Sequence, residues 1–131
     1  MKPMFLVAAL IFLSAVAIAA SPRQAILEVY AKEAGVTAFS AERGKAFFEA
    51  VHKGGKPATP SCTTCHGMNL REAGRTRAGK LIDPMAVSAN SDRFTDPAFV
   101  EKWFGRNCDS VLGRPCSAAE KGDVITYLSG L

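Results

Sequence analysis

No run of alternating apolar and polar residues in this 131-residue chain is long enough to read as a strand. A βαβ unit is therefore not expected, which removes the usual setting of a thioredoxin-like dithiol. Basic runs interleaved with aromatics are also missing, and a net charge of +4 does not suggest a nucleic-acid surface. There are no internal repeats. Histidine occurs only twice, as His52 and His66, so a zinc site would have to recruit distant cysteines.

One long apolar run is present. Lys2 is followed by the uncharged stretch Pro3 to Ala20, which ends in the small-residue sequence Ala17-Ile18-Ala19-Ala20. A charged start, an apolar centre and an A-x-A end predict a secretory signal peptide over residues 1–20, cleaved on export to the periplasm. A retained anchor is the alternative, because about 18 apolar residues can just cross a bilayer. Cleavage leaves residues 21–131 as one small domain with a charge of about +3.

The remaining signals are helical. Ser21-Pro22 caps a first helix with Ile26, Leu27 and Tyr30 on its apolar stripe, and Gly35 stops it. A second runs from Ser40 through Gly44, Phe47, Phe48 and Val51 to Lys53, broken by Gly54-Gly55-Lys56-Pro57. Asp96-Pro97 opens a third, with Phe99, Val100, Trp103 and Phe104 at helical spacing. Ser117-Ala118-Ala119-Glu120 is a capping box for the last helix, which carries Val124, Ile125, Tyr127 and Leu128. The expected domain is all-α. Gly44 and Phe48 are expected to cross the terminal helix at Tyr127.

Cys62-Thr63-Thr64-Cys65-His66 is the attachment signature of a c-type haem. The two thiols can each add to one vinyl group, and the histidine becomes the proximal iron ligand. Four cysteines in an exported chain divide naturally into a haem pair and a disulfide pair. His52 reads as a surface or capping residue. The basic stretch Arg71, Arg75, Arg77 and Lys80 reads as a solvated loop, with haem propionates or an acidic electron donor as other partners.

The sixth iron position has two candidates. Met85 stands well downstream of the motif, as in ordinary small cytochromes c, whereas Met68 is too close to His66 to reach the opposite face. Asn107 lies one and two helical turns beyond the apolar stripe of the third helix and shares its face. A buried amide left without a partner costs about 1–3 kcal/mol, and iron would supply that partner. On the residues alone, the plainer reading is that Asn107 caps the helix as it stops.

Several stretches outside the haem motif resemble the sphaeroides haem protein family. They are Pro60 to Gly67, Asp92-Arg93-Phe94-Thr95-Asp96, Val100-Glu101-Lys102-Trp103, Gly105-Arg106-Asn107-Cys108, Val111 to Arg114 with Cys116, and Glu120-Lys121-Gly122-Asp123. The family comprises small periplasmic c-type haem proteins that bind oxygen. The resemblance implies a class I cytochrome c-like fold around one covalent haem c held by Cys62, Cys65 and His66. It implies Asn107 as distal ligand and a Cys108–Cys116 disulfide. It also implies a dihaem cytochrome c and a membrane cytochrome b as electron-transfer partners. The family pattern tolerates Leu where Met85 stands. Two function classes follow. One is a haem protein that binds oxygen or nitric oxide once Asn107 leaves on reduction, extending to redox turnover of those ligands. The other is a plain electron carrier with Met85 bound in both states.

Overall fold

The computed structural model describes Met1 and residues 19–131; apart from its two ends, the expected signal peptide lies outside the described residues. The helices form where the caps predict them. In α1 (Pro22–Ala34) the Ser21 hydroxyl accepts the Gln24 N–H at 3.2 Å, and Gly35 takes the left-handed conformation, φ +66°, that ends the helix. In α2 (Ala41–Glu49) Ser40 caps the Arg43 N–H at 3.1 Å. The helix stops at Glu49, short of the expected Lys53. Ala50 is extended, the His52 N–H turns to the Pro60 carbonyl at 2.7 Å, and the His52 Nε2 meets the Phe47 carbonyl at 2.8 Å.

A single helical turn, α3 (Thr63–His66), carries the CTTCH motif. The basic stretch after it folds into a short antiparallel pair that the pattern did not announce: β1 (Gly74–Arg75) against β2 (Leu81–Ile82). Two residues per strand are too few for alternation to register. The Thr76 N–H donates to the Lys80 carbonyl at 2.8 Å, and Arg75 donates to the Gly79 carbonyl at 2.8 Å.

The longest element is α4 (Pro97–Leu112), opened by the Asp96 carboxylate accepting the Ala98 and Phe99 N–H groups at 3.0 and 3.2 Å. It runs past Asn107 and ends only at Gly113, φ +68°, so the reading of Asn107 as the helix cap does not hold. The capping box of α5 (Ala118–Ser129) is complete in both directions.

Burial explains the packing. Ile125 and Leu128 of α5 are wholly buried, with α1 and α2 laid across them. At the α2–α5 crossing a Cβ on Gly44 would sit 2.0 Å from the Asp123 carbonyl oxygen and 3.0 Å from the Tyr127 Cβ. Only glycine allows that approach. The buried Asp123 carboxylate accepts the Ser40 N–H at 2.7 Å and the Arg43 guanidinium at 2.7 and 2.9 Å, fixing the start of α2 on α5. Tyr30 of α1 donates to Glu101 of α4, whose carboxylate also takes Lys121 of α5 at 2.9 Å. Three helices meet at that carboxylate.

Candidate haem site

The haem motif reaches its position through Ser61. Its buried hydroxyl accepts the Thr63 N–H and donates to the Phe48 carbonyl, each at 3.3 Å, tying the turn to α2. The His66 N–H closes on the Cys62 carbonyl at 3.2 Å, and Gly67 leaves the turn at φ +73°. One turn thereby sets both thiols and the imidazole on the wall of one cavity of about 440 Å³. A volume of that order suits a small-molecule or cofactor site, which typically spans about 300–1,000 Å³.

The His66 ring packs on Phe48, centroids 5.7 Å apart, and its Nδ1 is buried without a hydrogen-bond partner. Burial, then the nearby Arg93 charge, lowers its pKa to about 4. At neutral pH the ring is therefore uncharged, as a metal ligand must be. Burial pushes the Cys62 thiol up to about 11, so it stands as a thiol at neutral pH. Neutral imidazole, two unpaired thiols one turn apart and a largely apolar wall that includes Phe47, Phe48, Phe94 and Trp103 make a site that fits a haem.

The opposite candidates come from other elements. α4 lines the cavity with Phe99, Val100, Trp103, Phe104 and Asn107. Cys108, on the next position, is joined to Cys116 with Cα atoms 5.6 Å apart, and both are buried. Met85 lines the same cavity from the loop after β2. The cavity thus brings together His66, Asn107 and Met85. Met68 is 70% exposed and away from it. His52 does not line it either, in keeping with a capping role. Of the four basic residues of the Arg71–Lys80 stretch, only Lys80 reaches the cavity.

Two contributors were assigned no part from the sequence. Arg93 lines the cavity half-buried, and Phe94, at φ +61°, is the one non-glycine residue with positive φ among those described. Both lie in the Asp92–Asp96 stretch already noted for its resemblance, which is the signal that pointed there.

Most of the chain is similar to known proteins. Residues 34–128 match a family described as a domain of unknown function (DUF1924). The cytochrome c-type protein SHP of Cereibacter sphaeroides is 55% identical over 109 residues, covering 83% of each chain. The structure of oxidized SHP, an oxygen binding cytochrome c, superposes with a TM-score of 0.79 at 54% identity, over 85% of this chain and 97% of that one. Cytochrome c'' of Methylophilus methylotrophus, whose solution structure addresses the structural basis of haem-ligand detachment, gives 0.65 at 32% identity over 81% and 90%. An all-helical core, a haem motif on a cavity wall and these relatives lead to one conclusion: the chain belongs to the sphaeroides haem protein family, c-type haem proteins of the class I cytochrome c-like fold.

Proposed function

We propose that this chain is an exported, periplasmic monohaem protein that binds oxygen, nitric oxide or a similar small ligand after redox-dependent release of Asn107. Cys62 and Cys65 would hold haem c, which when bound would supply a redox-active iron able to exchange a ligand. His66, as a neutral imidazole, would be the iron ligand contributed by the haem-motif turn. The observation that carries the reading is the position of Asn107. Its amide comes from the middle of a 16-residue helix, on the cavity-lining face, where it has no capping task.

An amide oxygen is a weak, hard donor that suits ferric iron better than ferrous. Asn107 therefore holds in the oxidised state and lets go on reduction. Its N–H group, still beside the site, can then donate a hydrogen bond to the incoming ligand. The disulfide between Cys108 and Cys116 tethers the helix turn that carries Asn107, so the amide stays close enough to return. The haem-ligand detachment attributed to cytochrome c'' supports such a release in a relative. The electrons come, on the family resemblance, from a dihaem cytochrome c and a membrane cytochrome b. Any oxygen- or nitric oxide-linked turnover would use the same site.

Because Met85 lines the same cavity, a plain His/Met electron carrier is the second reading. Absorbance of the oxidised protein separates the two. The Asn107 reading expects no sulfur-to-iron charge-transfer band, a high-spin shift in Asn107→Ala and no change in Met85→Leu. A sulfur band that disappears in Met85→Leu would establish the carrier instead.

A further inference from the structure

Release of Asn107 opens a site only if Met85 does not fill it. A thioether prefers the ferrous state, the state in which Asn107 lets go. Methionine is also unbranched, with three rotatable bonds, and adapts readily to a gap. Both side chains face the same cavity. Something must hold Met85 back.

Residues 83–93 contain no helix or strand, so the place of Met85 depends on a few hydrogen bonds. Two come from Arg93. Its Nε–H donates to the Pro84 carbonyl at 2.8 Å and its Nη2–H to the Asp83 carbonyl, gripping the two residues immediately before Met85. On the other side the Leu70 carbonyl accepts the Met85 and Ala86 N–H groups at 3.0 and 2.9 Å. The segment is thus held from both ends.

Arg93 is itself immobilised. Its carbonyl accepts the Arg23 Nε–H and Nη2–H at 3.2 and 2.9 Å, and Arg23 also reaches the Ser91 carbonyl at 3.0 Å. The next residue, Phe94, adopts φ +61°, an unfavourable conformation for a side chain of that size, yet is buried. Such a conformation persists only where the surroundings over-determine it. Here it turns Phe94 into the core while Arg93 faces the loop it clamps.

We propose that Arg93 is a positioning residue that keeps the Met85 thioether from the sixth position, so that reduction leaves the site open to an external ligand. This rests on Asn107 being the ferric ligand. A planar guanidinium holds its donors in a rigid fork that spans two adjacent carbonyls, a fixed geometry that the compact ammonium of lysine lacks.

The test is carbon monoxide binding to the reduced haem protein in the unsubstituted chain, Arg93→Ala, and Arg93→Ala combined with Met85→Leu. The unsubstituted protein should bind carbon monoxide. Arg93→Ala should turn low-spin on reduction and bind it at least tenfold more weakly, and adding Met85→Leu should restore binding. Should Arg93→Ala fail to give a folded haem protein, Arg93→Lys carries the same comparison, with and without Met85→Leu. If the Arg93 variant binds as the unsubstituted chain does, or if Met85→Leu fails to rescue it, the clamp is overturned and the Asn107 reading stands. If the unsubstituted protein is already low-spin and closed to carbon monoxide when reduced, the Asn107 reading itself falls.

Discussion

At Gly44 a methyl group has nowhere to go. Its Cβ would lie 2.0 Å from a backbone oxygen of α5, and a backbone atom cannot step aside as a side chain can. Gly44→Ala should therefore destabilise the protein by at least the ~1–3 kcal/mol typical of overpacking, read from urea melts. An unchanged midpoint would mean that α2 and α5 are not so closely crossed. This contact was legible in the sequence, because a small residue beside an aromatic on a helical face carries its own signal. Asn107 was not legible in the same way. Asn ends helices and also occurs within them. Only the path of α4 to Gly113 distinguishes the two.

At the scale of elements, the helix starts were readable from Ser21, Ser40, Asp96 and Ser117, whereas two ends were misread or undecided. Starts are set by local side-chain acceptors, but ends depended on what the departing chain meets. The α2 end is decided by Pro60 accepting the His52 N–H, a partner supplied by a distant turn. The start of α5 has a further support. Glu120 completes the capping box and pairs with Arg114 at 2.8 Å, which holds its carboxyl below the usual range. The folded state thus binds this proton less readily than the unfolded chain does. The stabilisation is present above a pH of about 4.5 and is lost as pH falls through the lower folded-state value. Glu120→Ala should cost about 1 kcal/mol at neutral pH. Glu120→Gln, which preserves the box, should flatten the acid limb of a stability–pH profile; an identical limb would show that Glu120 does not contribute to it. The disulfide closes a short loop between the C-terminal end of α4 and this α5 start, with a sequence separation of 8. Its reduction should remove roughly 2–3 kcal/mol of stability. On the tethering account the ferric spectrum should change as well, and an unaltered spectrum would leave the disulfide a purely structural staple.

For the whole molecule, the helical class and the haem motif were readable because each is encoded locally, in helix caps and apolar stripes or in five consecutive residues. The cavity was not. Its wall combines α2, α3, the β2 loop and α4, and nothing in residue spacing places Arg93 beside His66 or Met85 opposite a helix. A domain this small would gain much of its core by closing on a porphyrin, so the proposed attachment would bear on the fold as a whole. Protein denatured in detergent should still carry haem stain, and the Cys62→Ala, Cys65→Ala double variant should lose it. Stain that survives in the double variant would exclude thioether attachment at these two positions. On the proposed function, Asn107 closes the site when the protein is oxidised, and reduction opens it. The measurement that addresses this most directly is absorbance of the unsubstituted protein, oxidised and then reduced under carbon monoxide. No sulfur-to-iron band is expected in the oxidised form, and a carbon monoxide complex is expected on reduction. A sulfur band when oxidised, with low-spin bands indifferent to carbon monoxide when reduced, would contradict the proposed function.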